Sequence, residues 1–322
     1  MQRILLDTDT GVDDALAIIL ALNTPEMKVE AITTVSGNVY VDFCTRNVML
    51  TLNAMDLGEY PIIAQGEPQP LVKPLVTAAH VHGSDGLGDV TKLNGPDGSR
   101  SYPDPELRLA TASAVDLIIN LACQHPNELV LVALGPLTNI AKAMDKNPNH
   151  MRNIKKIVLM GGAFETYGNV TTTAEFNIFV DPHAAQRVLD FGVPITLVPL
   201  DVTHRVMLKS ERLKAECGVR SDRLAKFLRD ATRVSMAYHH QREGFDGIYI
   251  HDALPIGLIA RPDLFDTADA FVQVETSGQL TQGMTIADLR QGRPALKTNA
   301  RVCVGVNAEG FIEHFFDCIL ST

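Results

Sequence analysis

Short apolar runs recur along this chain, and between them the hydrophobic residues fall at helical spacing. The runs at 3–6, 29–35, 61–64, 129–134, 157–160 and 195–199 are rich in β-branched residues and close on glycine or polar residues, which predicts strands. Segments 13–22, 42–55, 110–124, 137–145 and 182–191 predict helices, stopped by Thr-Pro, His-Pro, Asn-Pro or glycine. Strand and helix in alternation imply βαβ units, hence an α/β fold: an open, mostly parallel sheet flanked by helices on both faces. Beyond about residue 209 the pattern changes. Segments 210–218 and 222–241 predict consecutive helices, another helix lies near 251–260, and strands at 270–275 and 301–306 close the chain. No Pro/Gly/Ser-rich linker or internal repeat interrupts it, so residues 1–322 read as a single domain with extra C-terminal helices.

In an open α/β sheet, ligands bind where the carboxyl ends of the strands meet their loops. The unusual residues obey that rule. Asp7 and Asp9 end the first strand, Ser36-Gly37-Asn38 follows the second, and Leu134-Gly135-Pro136 and Met160-Gly161-Gly162 follow two more. The first of these ends, LLDTDTGVDDALAI, brings Asp7, Asp9, Asp13 and Asp14 together beside an apolar run. Two of the acids have an ordinary explanation, because Asp13 and Asp14 open a helix, where carboxylates stabilise the positive end of the dipole by roughly 0.3–1 kcal/mol each. Asp7 and Asp9 lack that explanation. Their side chains would leave a buried strand with nothing to pair them.

A hard divalent cation supplies the missing charge, and an oxygen-only ligand set suits Ca²⁺ better than Mg²⁺, which keeps more of its water. Zinc would need imidazole or thiolate close by. An EF-hand loop counted from Asp7 fails, since its required Gly and Glu positions hold Val12 and Ile18. A second alternative is a Mg²⁺-dependent phosphatase, because a strand followed by DTDT resembles the opening motif of the haloacid dehalogenase superfamily. That chemistry also wants a lysine at a later strand end, and none stands out.

Composition narrows the partners. A net charge of −10 with no dense Lys/Arg run argues against nucleic acid and anionic membranes. No apolar stretch reaches the length of a membrane span, and the first strand begins almost at Met1, which points to a cytoplasmic protein without a signal peptide. Five scattered cysteines, with no CxxC spacing, read as reduced and mostly buried thiols.

DTDTGVDDALAI, followed in order by VSGNV, HVHGSDGLG, ALGPLTNIA, VLMGGA, AEFNIFVDP, IHDAL and GMTIAD, resembles the nucleoside hydrolase family of inosine-uridine preferring ribohydrolases over nearly the whole chain. The resemblance implies a Rossmann-like sheet and cleavage of the N-glycosidic bond of nucleosides to ribose and free base, within nucleoside catabolism and salvage. It implies a Ca²⁺ held by the carboxylates of Asp9, Asp14 and Asp252 and by the backbone carbonyl of Leu134, with Asp7 behind them. It places Asp13, Asn38, Glu175 and Asn177 on the ribose hydroxyls, Met160 beside the sugar ring and His82 in the pocket lining. It also implies a homo-oligomer, a tetramer ahead of a dimer.

The expected mechanism starts from water made easier to deprotonate by the cation, with Asp9 as the general base. Bond cleavage running ahead of attack gives an oxocarbenium-like ribosyl centre. His251, next to Asp252, is the expected acid for the leaving base, and Tyr238 with His239 a second proton path. Thr10, Ala253 and Leu134 depart from residues common at their positions in the family without removing a ligand. The absence of Trp disfavours the purine-specific branch that stacks the base on indole.

Overall fold

The computed structural model describes residues 1–55, 57–290 and 297–320. Its strands are β1 (Gln2–Thr8), β2 (Met27–Thr34), β3 (Ile62–Gln65), β4 (Leu129–Ala133), β5 (Lys156–Met160), β6 (Ile195–Val198), β7 (Met207–Lys209), β8 (Gly247–Tyr249), β9 (Phe265–Ala270), β10 (Val272–Val274), β11 (Thr285–Ala287) and β12 (Ala300–Val306). Eight of them form one sheet in the order β3-β2-β1-β4-β5-β6-β12-β9. All neighbours in it are parallel except β12 and β9. β10 pairs with β11, and β7 with β8, in separate antiparallel ribbons.

β1 shows why a parallel sheet forms. Ile4, Leu5 and Leu6 are fully buried, and their pleat sends Ile4 and Leu6 into one core and Leu5 into the other. Each such side chain contributes about 1.5–3 kcal/mol of burial, so the strand is stable only with helices on both faces. On one face lies helix Val12–Asn23, buried over its first ten residues and packed against helices Val41–Met55, Ala253–Ala260 and Ala308–Ile319. On the other lie helices Ala114–Gln124, Thr138–Lys146 and Pro182–Leu189.

The chain leaves β3 at one edge and restarts at β4 on the far side of β1, so connections diverge from the gap between β1 and β4. A crevice opens at such a reversal. The ladder runs one step past the strands there, through Leu134 N–H to the Asp7 carbonyl (2.7 Å) and Val35 N–H to the Thr8 carbonyl (3.0 Å).

Three expectations are corrected. The helix expected over 110–124 starts at Ala114, because Ala110 gives its N–H to the Ile63 carbonyl on edge strand β3 and Ser113 caps the helix through Asp116 N–H. The strand expected over 270–275 is two strands in two sheets, β9 ending at Ala270 beside β12 and β10 turning to β11. The last-turn boundary of 182–191 falls at Leu189. Cys44, Cys217 and Cys303 are buried, Cys318 is half-buried and Cys123 is exposed, and all five are free. No described helix is long and apolar enough to cross a membrane.

Candidate active site

The acidic loop after β1 is built by local chemistry. Thr8 Oγ1 donates to Asp14 Oδ1 (2.5 Å), and Gly11 N–H donates to Asp14 Oδ2 (2.8 Å), so the third residue of the helix reaches back to cap its own start. Gly11 carries no side chain because a Cβ there would lie 2.6 Å from both Asn38 Nδ2 and His82 Nδ1. Asp9 is wedged between two more glycines: a Cβ on Gly37 would fall 2.0 Å from its Oδ2, and one on Gly135 2.8 Å from its Oδ1. Behind this layer Asp7 Oδ1 accepts from Thr33 Oγ1 (2.6 Å) and Asn139 Nδ2 (2.8 Å), which ties β1 to β2 and to helix Thr138–Lys146.

Asp13, Asp14 and Asp252 bring carboxylate oxygens within 4.8 Å of one another, and Asp9 lies close enough to repel them. Asp252 arrives from the turn before helix Ala253–Ala260. All four are buried. Burial pushes all four carboxyls upward, and repulsion from neighbouring carboxylates adds to it at Asp9, Asp13 and Asp252, taking Asp13 to about 7 and Asp9 and Asp252 well above the usual range. Asp9 keeps only Asn38 N–H, at Oδ2 (2.7 Å), while its Oδ1 and Asp7 Oδ2 are buried without a hydrogen-bond donor among the described residues. A compact set of hard oxygens with excess negative charge and an orphaned lone pair fits a divalent cation. The Leu134 carbonyl, expected as a further ligand, accepts Asn177 Nδ2 at 2.7 Å and retains a second lone pair.

One wall beside this floor carries the expected sugar ligands. Glu175 caps the short helix Phe176–Val180, accepting from Asn177 N–H (2.8 Å), Ile178 N–H (3.1 Å) and Gly162 N–H (3.2 Å); burial nevertheless pushes it up to about 7. Asn177 Nδ2 spans the Leu134 and Met160 carbonyls, so one side chain fixes the ends of β4 and β5 relative to each other. Asn38 Nδ2 holds Asp14 Oδ2 at 3.1 Å. Thr285, from the GMTIAD stretch, locks the Gly162–Ala163 turn through both backbone groups of Ala163 at 2.9 Å.

The opposite wall is imidazole and phenol. Val12 N–H donates to His82 Nδ1 (3.1 Å), so that nitrogen carries no proton, and burial holds the ring neutral with its pKa near 3. His251 is clamped by a 2.7 Å bond between Nδ1 and the buried Thr203 Oγ1, and flanked by the rings of Tyr249 and His204 with centroids 5.5 Å away. Burial, reinforced by His204, His239 and His82, drives its pKa well below the usual histidine range. Tyr238 and His239 sit on helix Arg223–Glu243.

These walls enclose a cavity of about 240 Å³ lined by Asp13, Asn38, His82, Leu134, Met160, Glu175, Asn177, Tyr238, His239, His251 and Asp252; Asp9 and Asp14 lie in the buried layer around Asp13. The structure thus assembles every residue singled out in the sequence at one place. It adds Asn169, His204, Glu243 and Tyr249, which sequence reasoning missed. Asn169 lies in a polar loop where it caps Phe176 N–H through Oδ1 at 2.9 Å, and His204 was legible only as the residue after LDVT at a strand end.

No lysine or arginine is among the lining residues, which removes the charge a phosphate would need. The phosphatase alternative finds no support in comparisons with known proteins either. Residues 4–313 match the family model described as inosine-uridine preferring nucleoside hydrolase. The pyrimidine-specific ribonucleoside hydrolase RihA of Citrobacter koseri is 38% identical over 96% of this chain and 95% of that protein. Among solved structures, the plant nucleoside hydrolase PpNRh1 superposes with a TM-score of 0.89 at 30% identity, covering 100% of this chain and 99% of that one. A purine-preferring ribonucleoside hydrolase from Gardnerella vaginalis gives 0.87 at 34%, covering 99% and 98%. With residues 4–313 matched by the family model and its fold shared with solved nucleoside hydrolases, this protein belongs to the inosine-uridine preferring nucleoside hydrolase family, enzymes that cleave N-glycosidic bonds.

Proposed function

We propose that the protein uses Ca²⁺ to hydrolyse ribonucleosides of the inosine, uridine and cytidine type to ribose and free base. The observation that carries this is the buried carboxylate floor of Asp9, Asp13, Asp14 and Asp252, with Asp9 Oδ1 unpartnered among the described residues, beneath a cavity of about 240 Å³. Asp9, Asp14 and Asp252, with the Leu134 carbonyl, are the residues that would hold the ion. When bound, calcium neutralises these carboxylates, holds a sugar diol and makes water easier to deprotonate.

The chain's own groups do the rest. Asp9 accepts the proton of the attacking water at Oδ1, the oxygen that no donor among the described residues occupies. Asp13, Asn38, Glu175 and Asn177 take the ribose hydroxyls, and the carboxylates stabilise positive charge developing at the anomeric carbon. Met160 packs beside the sugar ring. His251 faces the leaving base: in the tautomer where Thr203 donates to Nδ1, the free nitrogen is Nε2–H, a hydrogen-bond donor while the ring is neutral. For full transfer the ring first takes a proton from solvent at Nδ1, which negative charge growing on the departing base favours, and then passes the Nε2 proton to the leaving nitrogen and returns to neutral. His82, Tyr238 and His239 line the base end.

By resemblance to the family the protein assembles as a homotetramer, which light scattering on the purified protein tests. The central test is a panel of nucleosides assayed for ribose release with and without a chelator. Release that calcium restores after chelation is expected; release unaffected by complete removal of divalent ions would overturn the calcium assignment.

A further inference from the structure

At the base end of the cavity two acceptors face each other with no protein donor between them. His239, buried on the long helix, lies with Nδ1 2.7 Å from the Ser235 carbonyl one turn earlier. A carbonyl only accepts, so the proton sits on Nδ1 and Nε2 presents a lone pair. One turn later comes Glu243, whose Oε1 stands 3.9 Å from that Nε2, too far for a hydrogen bond. Glu243 is partly exposed, lines the same cavity as His239 and Tyr249, and receives no hydrogen bond from another described side chain. None of the sugar or cation chemistry above uses it.

We propose that His239 and Glu243 together read an exocyclic amino group on the leaving base, making cytidine preferred over uridine and adenosine over inosine. An amino group carries two N–H donors, one for His239 Nε2 and one for a Glu243 carboxylate oxygen. A keto oxygen at the same place brings a third acceptor and satisfies neither. The inference rests on the ribonucleoside hydrolase reading and adds to it the identity of the base. Its competitor is a protonated His239, which would donate to Glu243 directly, close the pair on itself and leave nothing to read an amine.

The test measures kcat/KM for cytidine, uridine, adenosine and inosine by ribose release, in the calcium-loaded wild-type protein and in Glu243→Gln and Glu243→Ala. In the wild type the amino member of each pair is expected to lead by about tenfold or more, the scale of one charge-assisted hydrogen bond. Glu243→Gln, whose amide can accept from an amine or donate to a keto group, should bring both ratios close to one by raising uridine and inosine. Glu243→Ala should lower the amino members selectively. Equal values within each pair in the wild type, or a preference that survives Glu243→Gln, would overturn the assignment and leave the hydrolase reading standing. Absence of ribose from all four nucleosides would remove both.

Discussion

β1 carries charge at both of its ends, and the two ends neutralise it in opposite ways. At the amino end Arg3 is paired with Glu30 and with Glu128 (3.2 Å), and Lys28 with Glu30 (3.0 Å), on side chains that stay partly in water. At the carboxyl end, four and six residues on, Asp7 and Asp9 are fully buried, with threonine, asparagine and backbone donors in place of any basic side chain. One end settles its charge within the protein, where water and salt screen the pairs and little depends on them. The other leaves its charge unsettled inside the fold. Such charge is met by protonation of the carboxyls or by a bound cation, and the difference separates an ordinary surface from a candidate site.

The contrast can be broken first at Asp9. Asp9→Ala is expected to cut turnover roughly 10⁴-fold, the upper range for loss of a general base, while a nucleoside still binds; steady-state kinetics with equilibrium binding checks it, and an unchanged kcat would end the base assignment. His251→Ala should cost about 10²–10³-fold on inosine and little on nitrophenyl riboside, whose leaving group needs no proton. Thr203→Val, which removes only the hydroxyl at Nδ1, should show the same substrate split at about tenfold, with Thr203→Ser restoring activity. Equal losses on both substrates would reduce Thr203 to a packing role.

Stability sharpens the same contrast. Asp7 and Glu175 are pushed up to about 7 by burial, whereas their unfolded counterparts titrate near the ordinary carboxylate range. Between about pH 4 and 7 the cation-free folded protein therefore holds protons that the unfolded chain has shed, and its stability falls as pH rises through that window. Thermal melts in chelator should give a lower Tm near pH 7.5 than near pH 5, and added calcium a larger gain at the higher pH. A cation-free Tm that climbs across this range would contradict the buried, uncompensated acids. The smallest effect belongs to the other end of the strand: Arg3→Ala should leave kcat and KM untouched and move Tm only slightly.

The parts of the fold legible in the sequence are those whose signal is local. Central strands such as 129–134 and 157–160 show as β-branched runs because both of their faces are buried, and the acids at the end of β1 show because four charges in one loop demand a reason. What was not legible depends on partners distant in sequence. Residues 110–113 look helical, and only the edge of β3 explains why the helix waits for Ser113. Residues 270–275 read as one apolar run, although Ala270 and Val272 answer to different neighbours. Glu243 and Tyr249 carry no motif at all; they matter because a helix end and strand β8 bring them to the same wall as His251. The resemblance supplied the roles of Glu175 and Asn177, which spacing alone would have left as loop polarity.

The floor of the pocket is also assembled out of order. Asp9 and Asp14 are synthesised well before Asp252, the carboxylate that completes their cluster and follows only after β1 through β8 have been made. A partly synthesised chain therefore owns some of the acids without the complete set, and capture of the proposed cation would be a late event in the protein's own biogenesis.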